Sequence, residues 1–438
     1  MSSIARILAA KGFKVSGSDI KETKNLEDLR KLGIDIYIGH SLANIKDADL
    51  VVYSSAISQD NPEIKEAERY NIPVIKRAKM LADLMQEKRV ITVTGAHGKT
   101  TTTSLISHLL LEAGLSPTVA IGGILRNLDS NAYLGESDFF VAEADESDGS
   151  FLYYNPDYSI ITNIDYEHLD YYRSFDNLLE AFKKFVGNTK ENGCLYCSSD
   201  DVNLRKVLNG YKKRFILFGL SKDAHIYASD IKLEALRSSF SCFYNNKLVG
   251  PFALSLGGTH NIVNALSVIA LGLDLGVGLE NIKKALLTYK GAKRRLEIKL
   301  DGEEVMILDD YAHHPTEIKA TLLALKNLDR RRIIAVFQPH RYSRTKLLMN
   351  EFGRSFGSVD AVIVTDIYPA GEKPIENITA LSIVDSLKNN GHPNVSYMPK
   401  EVIVEHLLKI AKPKDLIITL GAGDITKISD ELAQKFKR

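Results

Sequence analysis

Gly95-Ala96-His97-Gly98-Lys99-Thr100 is a run of residue types suited to holding a chain of phosphates. Glycines let backbone N–H groups approach phosphate oxygens with no Cβ in the way. Lys99 can reach the outer phosphates, and the hydroxyl of Thr100 can ligate Mg²⁺. Such a cradle needs a strand before it and a helix after it, because the helix N-terminus adds roughly half a positive charge aimed at the same anion. The flanks meet that need. Arg89 to Thr94 is a β-branched run that reads as a buried strand, and from Thr101 to Glu112 the spacing puts Leu105, Ile106, Leu109 and Leu110 on one helical side. The full pattern G-x-x-x-x-G-K-[ST] has glycine where Val93 stands, so this is a shortened loop, G-x-x-G-K-T.

Other groups with chemical capacity fall at the ends of further strands. Phe139 to Ala142 reads as a buried strand whose carboxyl end is capped by Glu143. Ligands gather at such ends, and a carboxylate there can hold the metal carried by a nucleotide. Asp145, Glu146 and Asp148 read as acids that solvate the loop. A strand over Tyr158 to Asn163 leads to His168, placed to ligate a second divalent ion. Asn261 stands at the start of a helix over Ile262 to Leu273, where its amide can cap the helix or touch nucleotide; both readings stay open. Asp19 ends a strand in the first part of the chain, where an acid hydrogen-bonds a ribose or base in dinucleotide-type folds. Late in the chain, Val305 to Leu308 runs into Asp309-Asp310-Tyr311-Ala312-His313-His314, and Arg332 to Phe337 runs into Gln338-Pro339-His340-Arg341-Tyr342-Ser343-Arg344. Read as neighbouring strand ends, these clusters make a second site, in which Arg341 and Arg344 can hold carboxylates in bidentate pairs.

These elements need a large scaffold, and 438 residues supply one too long for a single ordinary core. The pattern predicts an α/β protein of three domains: residues 1–87, 88–297 and 298–438. The middle one carries a small antiparallel hairpin between Ala224 and Leu256, and Lys290 to Arg295 forms a basic hinge before the third. Hydrophobic content of 45% and a net charge of +1 argue for a soluble globular chain that binds neither nucleic acid nor membrane. Three cysteines fit a reducing cytosol, and Cys194-x-x-Cys197, with no second pair nearby, reads as two strand cysteines.

TGAHGKTTTT, VAEADESDGSFL, TNIDYEHLDYY, GTHNIVNAL, DDYAHHPTEIKATL, FQPHRYSRT and LGAGDITKIS occur in that order, with SGSD and SSAI ahead of them. The ordered set resembles the Mur ligase family, within it the branch that joins L-alanine to UDP-N-acetylmuramate. The resemblance implies a UDP-sugar domain, a central ATPase and a C-terminal Rossmann-like domain for the amino acid. It implies ATP-dependent amide formation through an acyl phosphate, in cytoplasmic peptidoglycan precursor synthesis, by a monomer or weak homodimer. By the same resemblance ATP lies on Gly95 to Thr101, His260, Asn261 and Arg295 (or Arg294), with two Mg²⁺ ions on Thr100, Glu143 and His168. The UDP-sugar falls to Ser2, Asp19, Ser54, Ser55 and Ala56. The alanine carboxylate falls to Arg341 and Arg344, with His313 near its amine and Asp310 and Tyr311 shaping the corner. The family's Gly-Arg-Arg-Phe is Lys293-Arg294-Arg295-Leu296 here. Its glycine-rich opening, Gly-x-Gly-Gly-x-Gly-Met-Ser, matches only Met1-Ser2. The expectation is therefore a first domain without its first strand and glycine loop, binding ATP but taking the sugar poorly and ligating slowly. The rival readings are a recycling ligase that adds a preformed peptide to the same sugar, and an inactive nucleotide-binding chain.

Overall fold

The computed structural model describes residues 1–234, 236–326, 328 and 332–437; Ala235 in the expected hairpin and Arg438 in the third region lie outside the described residues. The chain divides into two compact units, one of Met1–Ser229, Ser241–Phe252 and Val263–Lys290, the other of Asp230–Phe240, Ala253–Ile262 and Gly291–Arg438.

The first unit opens on helix Ser2–Ala10, whose Ile4 and Ile7 are buried. Four short strands follow as two separate parallel pairs, Ser16–Asp19 with Asp35–Ile38 and Val51–Tyr53 with Val74–Lys76. Helix Arg77–Leu84, which the sequence reading passed over, then contributes Ala78, Leu81 and Leu84 to the interior. Ile4, Ile7, Leu81 and Leu84 belong to one apolar core with Val90, Phe140, Phe151 and Ile161 of the middle region. The opening helix is therefore fastened to the middle region by burial of apolar surface.

The middle sheet is built outward from strand Arg89–Thr94. Phe139–Glu143 pairs with it in parallel on one side and Tyr158–Ile161 on the other, with Val93 opposite Glu143 and Thr94 opposite Ile161. Parallel pairing of these three strands puts all three carboxyl ends on one edge, the edge where ligands bind in open α/β sheets. Cys194–Ser198 and Phe215–Gly219 extend the sheet, and Cys194 and Cys197 are fully buried in it, as two strand cysteines. The expected hairpin is longer than two strands: Ile226–Glu234, Arg237–Tyr244 and Lys247–Leu254 lie side by side. Its Asn245-Asn246 turn has φ of 48° and 61°, the left-handed pair that a tight hairpin demands and asparagine tolerates.

The second unit holds a six-stranded sheet in the order Glu297–Asp301, Val305–Asp310, Asp415–Leu420, Arg332–Phe337, Ala361–Val364, Val395–Tyr397. This corrects two readings. Asp415–Leu420 lies between Val305–Asp310 and Arg332–Phe337, pairing in parallel with both, so the two polar clusters are not at adjacent strand ends. Asp309 and Asp310 also belong to the strand and not to the loop after it. The strand tolerates both carboxylates because each is answered: Asp309 accepts from Thr419 Oγ1 at 2.6 Å and Arg294 Nε at 3.0 Å, and Asp310 accepts the N–H groups of Leu296 and Ala312 at 2.7 and 2.8 Å. No helix among the described residues is long and apolar enough to cross a membrane.

Candidate functional site

The phosphate loop is braced from the strand beside it. Asn163 Oδ1 accepts the His97 N–H at 2.8 Å, Asn163 Nδ2 donates to the His97 carbonyl at 3.0 Å, and the Ala96 N–H donates to the Asn163 carbonyl at 3.1 Å. His97 Nε2 lies 2.9 Å from Asp165 Oδ2. Gly95 has φ 127°, and a Cβ there would come within 2.3 Å of Thr162 Oγ1; Gly98 has φ 84°, and a Cβ would come within 2.9 Å of Asn264 Oδ1. Both glycines are thus required by backbone sign and by neighbours. Gly98 is followed by helix Lys99–Glu112, so Lys99, Thr100 and Thr101 form its first turn. Asn163 and Asn264 were not singled out in the sequence. Asn264 stands one turn after Asn261 in GTHNIVNAL, a spacing that puts both amides on one helical side.

Thr100 Oγ1 lies 3.0 and 3.1 Å from the two carboxylate oxygens of Glu143, which also accepts the Gly122 N–H at 3.1 Å. A hydroxyl and a carboxylate converging at a helix N-terminus form a hard-oxygen set of the kind Mg²⁺ prefers. Burial pushes the Glu143 carboxyl above its ordinary range, opposed by Lys99 and the Gly122 N–H. Lys99 and His168 meet a different acid. Lys99 Nζ donates to Glu146 Oε1 at 2.8 Å, and His168 Nε2 lies 3.4 Å from the same oxygen. Glu146 is 1% exposed, so it is no solvating loop acid. Burial pushes its carboxyl up, but Lys99 and His168 more than offset this and hold it at about 2. His168 itself has φ 57° and begins the short helix Leu169–Tyr172.

In the first region, Ser2 Oγ accepts from Asn131 Nδ2 at 2.9 Å, Asp19 is exposed, and Ser54 Oγ accepts the Ala56 N–H at 3.3 Å. Ser55 lines an open cavity of about 110 Å³ together with Lys76, Arg77, Asp148, Tyr153 and Tyr171. Arg77 starts a helix that has no side-chain cap, so first-turn N–H groups reinforce its charge.

In the second unit the polar clusters meet although their strands are not neighbours. The His313 and His340 rings lie 5.6 Å apart, and Arg344 Nη1 is 3.1 Å from His340 Nδ1 and 3.2 Å from the His340 carbonyl. A guanidinium only donates, so Nδ1 of His340 carries the lone pair. His313 Nδ1 faces two acceptors, the Tyr311 carbonyl at 3.0 Å and Glu317 Oε2 at 3.3 Å, which directs its proton to Nδ1. Arg341 caps helix Tyr342–Leu347 with φ 71°. Burial raises the Asp310 carboxyl to about 6. Arg294 is committed to Asp309 and to the carbonyls of Gly423 and Gly421, while Arg295 lies over the Tyr311 ring and 3.6 Å from Glu317. Asn261 Nδ2 donates to the Gly257 carbonyl at 2.7 Å, and the His260 ring packs against Gly258.

His340 yields a prediction. Burial first, then the charges of His313, Arg344, Arg341 and Arg294, lower its pKa to about 3. A histidine depressed in the fold contributes stability above its unfolded value near 6.5, and that contribution is lost as pH falls toward 3, by at most about 1.4 kcal/mol per unit. Thermal unfolding followed from pH 7 to pH 4.5 should fall more steeply in the native chain than in His340→Gln. Parallel curves would show that His340 is not held neutral.

Comparison with known proteins agrees with this layout. Residues 1–89 match the model described as Mur ligase family, catalytic domain; 93–272 match the Mur ligase middle domain; 294–423 match the Mur ligase, glutamate ligase domain. The chain is 45% identical over 438 residues to the UDP-N-acetylmuramate–L-alanine ligase of Geotalea uraniireducens, covering 100% of this chain and 96% of that protein. It is 46% identical to the Desulfatibacillum aliphaticivorans protein of the same name, covering 98% and 95%. Among solved structures it is similar to the UDP-N-acetylmuramate-alanine ligase MurC of Thermotoga maritima, with TM-score 0.86, 32% identity and coverage of 100% and 96%. It is also similar to a murein peptide ligase, mpl, of Psychrobacter arcticus, with TM-score 0.73, 25% identity and coverage of 99% and 96%. These matches give no support to the expected loss of a first strand and glycine loop. A phosphate loop with a threonine–carboxylate pair at one sheet edge, an arginine–histidine cluster at another, and three family models in register place this chain in the Mur ligase family of ATP-dependent ligases.

Proposed function

We propose that this chain joins the amino group of L-alanine to the lactyl carboxylate of UDP-N-acetylmuramate, converting ATP to ADP and phosphate, as a cytoplasmic step of peptidoglycan precursor synthesis. The observation that carries the reading is full-length identity of 45% to a relative of that name, with Glu143 at a strand end and Lys99 and Thr100 in the first turn of the helix beside it. A carboxylate is a poor acyl donor because oxide would have to leave. Transfer of the γ-phosphoryl to it gives an acyl phosphate, from which an attacking amine expels phosphate. Such transfer depends on positioning and on neutralising charge. The loop amides and Lys99 orient the phosphates. Thr100 and Glu143 would hold Mg²⁺, which when bound spreads the charge of the transferring group, with His168 on a second ion. In the last region Arg341 and Arg344 hold the alanine carboxylate. His313, with its proton on Nδ1, offers Nε2 to the amine as general base.

The cavity beside Ser55 suits an anionic sugar, with Arg77 and Lys76 for its charge and Tyr153 and Tyr171 for its ring faces. A coupled ADP-release assay with UDP-N-acetylmuramate tests the whole reading. L-alanine should support turnover well above L-serine, glycine or a tripeptide, and Arg77→Ala should raise KM for the sugar nucleotide about tenfold, the loss of one charged hydrogen bond. Turnover with the tripeptide and not with L-alanine would establish the recycling activity instead. The higher similarity to the alanine ligase structure than to the peptide ligase favours alanine.

A further inference from the structure

The acidic run after strand Phe139–Glu143 contains a carboxylate that the reaction above does not use. Glu146 is anchored through its backbone: its carbonyl accepts from Tyr172 Oη at 2.5 Å and from the Gly149 N–H at 3.2 Å. Its side chain is therefore aimed, with Oε1 on Lys99 and Oε2 3.4 Å from Thr94 Oγ1. Lys99 has three ammonium protons and three acceptors, the Gly95 carbonyl at 2.5 Å, the Ala96 carbonyl at 3.1 Å and Glu146 at 2.8 Å. All its donors are committed inside the protein. A phosphate oxygen arriving at Lys99 must displace one of the three. Two of them are carbonyls of the loop that wraps the phosphates. The third is a carboxylate, whose charge repels the arriving anion and which has a second partner 3.4 Å away in His168. Glu146 is thus the acceptor whose retention is most costly to the phosphates.

We propose that Glu146 is a positioning residue for Lys99, an internal anion that holds the ammonium in the cradle and is exchanged for the outer phosphates, turning to His168 as they arrive. The inference rests on the loop being the ATP cradle. It predicts that Glu146 lowers nucleotide affinity, and does so only through the phosphates.

The test is calorimetric titration of the full chain with adenosine, ADP and a non-hydrolysable ATP analogue, with Mg²⁺ present. Glu146→Gln should bind the ATP analogue about tenfold tighter, a change of about 1.4 kcal/mol, with adenosine affinity unchanged. Glu146→Asp, which keeps the charge but draws it back by one methylene, should show a smaller shift in the same direction, and it carries the test alone if the glutamine variant melts. Equal shifts for adenosine and the analogue, no shift, or weaker binding of the analogue alone would overturn the proposal. Lys99→Met separates the two levels. If it leaves analogue and adenosine affinities both unchanged, the cradle reading itself fails; if it weakens only the phosphate-bearing ligands, the cradle stands and the Glu146 series decides.

Discussion

Glu143→Gln should lower kcat for ligation by about 10³-fold, the scale of losing one preorganised charge partner of a transferring group, while the fold survives. The argument begins with geometry. Glu143 is the last residue of a strand paired directly beside the strand that carries the phosphate loop, with Val93 opposite it. That register puts its carboxylate against the Thr100 hydroxyl, in the first turn of the helix that begins at Lys99. Glutamine has the same shape. Its amide oxygen can accept from the Gly122 N–H and its amide nitrogen can donate to Thr100 Oγ1, so both present contacts have a replacement. What cannot be replaced is the negative charge that would fix a divalent ion against the phosphates. The loss should therefore appear in kcat and in the Mg²⁺ concentration needed for half-maximal rate, with the melting temperature within a few degrees of the native chain. Activity within tenfold of native would remove Glu143 from the metal site.

How far the sequence led depended on whether a residue's partners were local. The strand, glycine turn and helix around Lys99 were readable because they lie within about twenty consecutive residues, and the physics of each is known from its neighbours alone. Glu143 was readable because a strand end is a local feature. Glu146 was not. It stands three residues further in an acidic loop, and only the fold shows it 1% exposed beneath Lys99. Asn163 and Arg77 failed to stand out for the same reason, since their partners lie 66 or more residues away or face a cavity assembled from two regions of the chain. The reading of Asp309-Asp310 as loop followed charge, which normally marks a strand's end; Arg294, Thr419 and two backbone N–H groups satisfy these acids inside the strand. Sheet order was the other weak point. Strand ends can be listed from a sequence, but strand Asp415–Leu420, about eighty residues beyond Phe337, inserts between two strands that look adjacent in the list.

Arg344→Lys should raise KM for L-alanine by about 100-fold, from the loss of one or two charged hydrogen bonds at roughly 1.5–3 kcal/mol each, with KM for ATP unchanged. Charge is conserved in this substitution, so the effect isolates shape. Arg344 places one amino group of its guanidinium on both His340 Nδ1 and the His340 carbonyl, which fixes the plane of the fork. The guanidinium plane is thereby held in a set direction, as recognition of a planar carboxylate requires. A lysine ammonium can satisfy His340 or the substrate, but it has no second arm held at a fixed angle to the first. Because alanine's carboxylate takes no part in bond making, its contacts should be equal in ground and transition states, and the loss should fall on KM with kcat little changed. Phosphate release measured against alanine concentration, at saturating ATP and UDP-N-acetylmuramate, reads this directly. A parallel fall in kcat with unchanged KM for alanine would instead assign Arg344 to the support of His340 and its neighbours, and would move the amino-acid site elsewhere on the last sheet.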